Sequence, residues 1–502
     1  MRTLHSWFTS TADRLPDEIA LVVAGQQWTY RELDRVARSV AAVVAEIAPR
    51  RPARIGLLAA QSVGAYAGYL GVIRGGNAVV PMHVDYPAER NRQVVEVAKL
   101  DALIVDDGRD VEFAEDLDLP VIEIGSEDAR QVSAAPVADA VEDADDAQDI
   151  AYILFTSGST GVPKGVPIRH RNLDAFVRYH LDRYGVGPGC RLSQTFGLTF
   201  DPSVFDMAVA WGSGATLVVP SRAELIDPVE FVNNHALTHW YSLPSIVSWV
   251  HDSGSLEPGS LPTLRRSLFA GEQLTLEQAR VWSDAAPNST IENLYGPTEL
   301  TITVTAYQLP ADREAWPATK NGTVPIGPVY PHLEGRIDPV TGELQVRGPQ
   351  RFDGYLDPAD NVGRFWGPDA EGDADSVDRS VDDAAWYRTG DRMTDVNGDL
   401  VHLGRLDEQV KIMGRRLELG DVEAALRRWA GVGDVVVVVG SAPAGELQLT
   451  AVYTGAAVDA GELRSRLLPN MPVHMVPARF VHVEAFPLNA NGKIDRQACR
   501  AL

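Results

Sequence analysis

Cysteine is almost missing from this chain of 502 residues: only Cys190 and Cys499 occur, far apart in sequence. Two such thiols supply neither a disulfide framework nor a thiolate metal site, and they suit a reducing compartment, the cytoplasm. Long apolar runs are missing too. No uninterrupted hydrophobic stretch is long enough to span a bilayer, and the opening Met1 to Phe8 lacks the sustained apolar core of a signal peptide. Positive charge is in deficit: 45 Lys and Arg stand against 69 Asp and Glu, a formal charge of −24. Such a balance disfavours phosphate backbones and anionic lipid, so neither nucleic acid nor a membrane is expected as a partner. No internal repeat of fixed period is visible, which sets aside solenoids and propellers.

What is present is a hydrophobic content of 45% spread over a length too great for one core, so two or three structural units are expected. The first half has an α/β rhythm. Arg31 to Ile47 repeats apolar residues at helical spacing, Ala78 to Met82 and Ala102 to Val105 read as short buried strands, and Ile150 to Phe155 as another. Helical spacing returns at Asn172 to Tyr184, which places the intervening loop between strand and helix. The acidic stretches 142–149 and 369–383 lack large apolar residues and read as exposed connections. After Gly404 a small unit restarts, with helices over Gly420 to Trp429 and Ala460 to Leu468 and strands over Asp434 to Val439 and Gln448 to Tyr453; a boundary near Asp407 follows.

The loop after Phe155 is Thr-Ser-Gly-Ser-Thr-Gly-Val-Pro-Lys-Gly, ending at Gly165. Glycines and hydroxyls after an apolar strand suit backbone N–H groups closing around a polyphosphate, although an ordinary surface turn has the same composition. The spacing is not that of a Walker loop, since Gly158 is followed five places on by Pro163 and then Lys164. Asn293-Leu-Tyr-Gly-Pro-Thr-Glu299 adds a planar ring for stacking on a base (Tyr295), a hydroxyl for a phosphate (Thr298) and a carboxylate for Mg²⁺ (Glu299). Tyr387-Arg-Thr-Gly-Asp391 sets a carboxylate after a turn, suited to accepting hydrogen bonds from ribose hydroxyls. Gly404-Arg-Leu-Asp-Glu-Gln-Val-Lys411 and Pro487-Leu-Asn-Ala-Asn-Gly-Lys493 complete the series.

These five motifs, with Trp28-Thr-Tyr-Arg-Glu-Leu33, occur in the order of the adenylate-forming superfamily, and the chain resembles it over almost its whole length. The resemblance implies a large N-terminal domain of several subdomains with mixed sheets and helices (1–406), and a small mobile α+β domain (407–502) pivoting at the hinge residue Asp407. It implies ATP and Mg²⁺ as cofactors. Thr156, Ser157, Gly158, Ser159, Thr160 and Lys164 would grip the β,γ-phosphates; Gly271, Tyr295, Gly296, Asp391, Arg405 and Lys411 would line the nucleotide. Lys493, Thr298 and Glu299 would be catalytic, with Glu299 on the metal.

The segment Val410 to Glu423 looks like amino-acid-activating members, as does Phe200-Asp-Pro-Ser-Val204, whose Asp201 would pair with a substrate α-ammonium. The family's specificity positions fall on Asp201, Pro202, Phe205, Ser242, Leu268, Ala270, Leu294, Ile302 and Thr303. Lys493 closes the set, and apart from Asp201 and Lys493 this lining is uncharged, which implies a small α-amino acid, alanine or proline first, as in the similar D-alanine:carrier protein ligases and proline-activating ligases. The acyl acceptor would be the phosphopantetheine thiol of a carrier protein. No Gly-Gly-x-Ser carrier segment occurs in the sequence, so a separate carrier is expected, with Arg415, Arg416, Arg427 and Arg428 as candidate docking charges. An acyl- or aryl-CoA synthetase, a β-amino-acid activator and a non-catalytic scaffold are the alternatives.

Overall fold

The computed structural model describes all residues except 107–110, 135–145, 158–161, 368–383, 408, 413, 430, 442–446 and 489–493. Gly158, Ser159, Thr160 and Lys493, the acidic stretch 369–383 and the 142–145 part of the other lie outside the described residues. The chain divides into two compact units. The first comprises Met1–Val84, Ala98–Leu154 and Gly165–Gly404; the second gathers Asp85–Val97, Phe155–Lys164 and Arg405–Leu502.

The first unit is built on an eight-stranded sheet in the order Thr305–Gln308, Thr290–Tyr295, Arg266–Phe269, His239–Ser242, Arg191–Ser193, Thr216–Val218, Ile19–Val23, Gln26–Thr29. Its six inner strands are parallel and its two edge strands antiparallel. Parallel strands need both faces covered, and two apolar clusters do this. One face meets Phe176, Phe205, Met207 and Trp211 from the helices His170–Tyr184 and Pro202–Ser213; the other meets Phe231, Val247 and Trp282. Helix Pro202–Ser213 is buried from Pro202 to Trp211, starts with a proline in its first turn and stops at left-handed Gly214.

A second sheet runs Val121–Glu123, Ala102–Val105, Arg54–Leu58, Ala78–Met82, Ile150–Thr156, Lys164–Arg169. Its last strand corrects an expectation. The glycine-rich loop joins two strands, and the helix begins only at His170, because Val166 and Ile168 turn to the core between Lys164 and Arg169. Helix Tyr30–Ile47 carries a capping box in which Thr29 and Glu32 exchange hydrogen bonds. A five-stranded sheet around Glu343–Arg347 and Trp386–Val396 completes this unit.

In the second unit, Leu419–Arg427 and Ala460–Leu467 are helices, and Val432–Ser441, Leu447–Gly455 and Arg479–His482 form one sheet. A core of Leu417, Val422, Leu426, Val435, Val437 and Leu463 holds them together. The hairpin Gln409–Ile412 and Arg415–Glu418 precedes them. Among the described residues no helix is long and apolar enough to cross a membrane.

Candidate active site

Asp201 stands at the head of helix Pro202–Ser213, yet its side chain makes no capping hydrogen bond to that helix. Its charge is felt by two buried phenols, Tyr152 and Tyr241, whose ionisation is pushed up by burial and then by nearby negative charge, Asp201 included. One turn along, Phe205 packs edge-on against Tyr241 at 5.0 Å and Phe176 at 5.8 Å between ring centres. Leu268, Ala270, Leu294 and Ile302 belong to the same buried cluster, and Pro202 opens the helix beside them. The expected apolar positions therefore line one face of the sheet.

Ser242 stands apart from them. It is in register with Phe269, whereas Tyr241 is in register with Leu268, so alternation turns Ser242 to the opposite face. Its hydroxyl accepts from Trp240 Nε1 at 2.8 Å and donates to the Leu243 carbonyl at 3.1 Å. Ser242 there lines a separate cavity with Thr195, Leu225, Phe231 and Leu243. Tyr241 takes its place in the wall beneath Phe205. Thr303, also expected in the lining, shares a 2.8 Å hydrogen bond with Tyr330.

The strand Thr290–Tyr295 runs into Gly296, Pro297 and a single turn of 3₁₀ helix, Thr298–Leu300. Glu299 on that turn is fully buried; Tyr355 donates to its Oε1 at 2.6 Å, and Tyr387 lies 3.3 Å beyond. Among the described residues no group of three His, Cys, Asp or Glu is arranged around a metal ion. A magnesium ion held mainly through nucleotide phosphates and water needs only one or two protein carboxylates, and the oriented Glu299 fits that demand.

Tyr295 donates from its hydroxyl to Asp391 Oδ2 at 2.7 Å, and His402 Nε2 lies 3.0 Å from Oδ1. Gln273 Nε2 reaches His402 Nδ1 at 2.9 Å, which leaves His402 Nε2 as the donor to Asp391. Tyr295 and His402 thus orient the Asp391 carboxylate, and a carboxylate oxygen can accept more than one hydrogen bond, as a ribose hydroxyl would require. Gly271, at φ +89°, turns the chain between Ala270 and Gln273. His402 and Tyr355 belong to no motif visible in the sequence: His402 lies in the strand Asp399–Arg405, outside the run Tyr387 to Asp391, and Tyr355 follows no recognisable spacing.

The second unit holds the other described positions. Thr156 closes the strand Ile150–Thr156, Ser157 donates to the Arg416 carbonyl at 2.9 Å, and Lys164 opens the next strand. Lys411 faces Arg416 across the hairpin. Arg405 grips Asp407 with two hydrogen bonds, of 2.6 and 2.8 Å. Burial opposes ionisation of Asp407, but the Arg405 fork prevails and holds its carboxyl below the usual range.

The profile of the AMP-binding enzymes matches residues 8–356. Tyrocidine synthase 3 of Brevibacillus parabrevis is 31% identical over 510 residues, across 99% of this chain but only 8% of its own length. The chain therefore spans a small part of that relative. The Vibrio cholerae adenylation domain AlmE, solved in complex with glycyl-adenosine-5'-phosphate, superposes with a TM-score of 0.83 at 26% identity, covering 99% of this chain and 97% of that one. NpsA-ThdA, an artificially fused adenylation-PCP di-domain from Klebsiella oxytoca, gives 0.81 at 25% identity, over 96% and 93%. The architecture is the mixed α/β adenylate-forming fold, and the chain belongs to the AMP-binding enzyme family.

Proposed function

We propose that this chain uses ATP to activate a small uncharged α-amino acid, alanine or proline foremost, and passes it to the phosphopantetheine thiol of a carrier protein. The observation that carries the reading is Asp201, a helix-heading carboxylate with no capping bond, set beside the apolar wall of Phe205, Leu268, Ala270, Leu294 and Ile302. A carboxylate in that setting gains most from a cation arriving with the ligand, and an α-ammonium supplies one. The glycyl-adenylate bound by AlmE supports the same substrate class.

In the first half-reaction a substrate carboxylate oxygen attacks the α-phosphorus of ATP in line, the bond to the β-phosphate oxygen breaks, and pyrophosphate leaves. Asp201 orients the ammonium; Asp391 and Tyr295 hold the nucleoside; Thr156, Ser157, Ser159, Thr160 and Lys164 hold the departing phosphates; Lys493 offsets the accumulating charge. A magnesium ion at Glu299 would neutralise phosphate charge. In the second, the thiol gives up its proton, sulfur attacks the acyl carbon, and AMP leaves.

A radiolabelled pyrophosphate-exchange panel tests this. Alanine or proline should support exchange, and neighbouring small side chains should follow within roughly 10–200-fold, since one methylene in an apolar pocket discriminates weakly. Exchange that depends on fatty or aryl acids and ignores amino acids would overturn the reading in favour of an acyl- or aryl-CoA synthetase.

A further inference from the structure

One pocket position, Ile302, and the residue before it sit on backbone that their own residue types disfavour. Thr301 and Ile302 are consecutive left-handed residues, at φ +60° and +73°. Both are β-branched, the class for which positive φ is rarest. The Thr303 N–H donates back to the Thr301 carbonyl at 3.0 Å, so Ile302 is the centre of a three-residue γ-turn of the strained, positive-φ kind. Such a turn persists only where its surroundings over-determine it.

Gln350, fully buried on a distant loop, does so. Its Nε2 lies 3.1, 3.3 and 2.8 Å from the carbonyls of Leu300, Thr301 and Thr303. Its backbone carbonyl accepts from Thr301 Oγ1 at 2.6 Å. With Nε2 facing three acceptors, Oε1 must be the acceptor from His332 Nε2, at 2.6 Å, and that bond fixes the orientation of the amide. On the other side the turn meets Gly296, where an added Cβ would stand 2.5 Å from Thr303 Cα and 2.6 Å from the Ile302 carbonyl. The turn is thus clamped between a glycine and one amide.

We propose that Gln350, oriented by His332, is the positioning residue for the amino-acid pocket: it holds the strained turn that sets Ile302 and Thr303 against the substrate. The kinetic part rests on the amino-acid reading above; the structural part does not. In Gln350→Met, similar in length but without the amide, backbone amides over residues 298–304 should exchange with deuterium about ten-fold faster or more, while the strand Arg266–Phe269 keeps its protection. The amino-acid KM in pyrophosphate exchange should rise about ten-fold, with the ATP KM within about two-fold and selectivity among small side chains relaxed. His332→Phe, which keeps the ring and loses the donor at a half-buried position, should move the same readouts less and guards against a fold that fails at Gln350. Unchanged deuterium uptake over 298–304, or equal rises in both KM values, would overturn the clamp. If no amino acid supports exchange by the unmodified chain, the amino-acid reading fails and the deuterium comparison alone decides on Gln350.

Discussion

At the scale of single residues, the chemistry turns on whether a carboxylate is committed to the fold or held for a ligand. Glu292 is committed: fully buried, it accepts from Arg183 and Tyr184 at 2.9 Å each. The Asp201 side chain makes no capping hydrogen bond to the helix it heads. Asp201→Asn keeps the shape and removes the charge, so the amino-acid kcat/KM should fall about 100- to 1,000-fold, some 3–4 kcal/mol, with the ATP KM unchanged. Exchange kinetics against each substrate separately measure this; an equal loss against ATP would mean that Asp201 supports the whole site. Asp201 was legible in sequence because it belongs to a motif. Tyr241 was not, because choosing between Tyr241 and Ser242 depends on strand register, and a slip of one residue moves a side chain to the opposite face.

At the scale of elements, buried strands of unbroken apolar residues such as Ala78–Met82 were readable, since burial on both faces leaves no alternation to misjudge. Lys164–Arg169 escaped notice because Gly165 and Pro167 interrupt its pattern, and the turn at Thr301 and Ile302 because β-branched residues suggest strand while the restraint comes from Gln350. Helix His170–Tyr184 carries a testable consequence of such long-range contact. His180 is fully buried, its Nδ1 donating to the Phe176 carbonyl at 2.8 Å and its Nε2 3.3 Å from Tyr330, which bonds Thr303. Burial pushes the imidazole down from 6.5 to about 3. The unfolded chain therefore binds a proton that the folded chain refuses, and stability falls as pH drops below about 6.5 towards about 3. Between pH 6 and 5 the slope from this group approaches about 1.4 kcal/mol per pH unit. Denaturant titrations at several pH values should show that slope, and His180→Gln should remove it; an unchanged slope would mean that other groups dominate acid unfolding.

At the scale of the whole molecule, charge is unevenly shared. Residues 405–502 carry twelve Lys and Arg against eleven Asp and Glu, so all the excess of negative charge lies in residues 1–404. An acidic carrier protein would accordingly meet less repulsion at the C-terminal segment. Of the four arginines singled out there, Arg415 bonds Tyr86 at 2.9 Å and contacts His474 at 3.2 Å, while Arg427 reaches Glu423 and the Val435 carbonyl. Arg416 adjoins the Ser157 contact through its carbonyl. Arg428, exposed at the end of helix Leu419–Arg427, is the charge best placed to meet a partner without disturbing the unit. Rim charges act mainly on association rate and are screened by salt. Arg428→Glu should therefore slow aminoacyl transfer to an acidic carrier by about three- to ten-fold at low ionic strength, with the difference from the unmodified chain shrinking as salt is raised. Pyrophosphate exchange, which needs no carrier, should be unchanged in both. Equal slowing of exchange and transfer would locate the effect in the fold, and transfer indifferent to both salt and Arg428 would move the carrier's docking surface elsewhere.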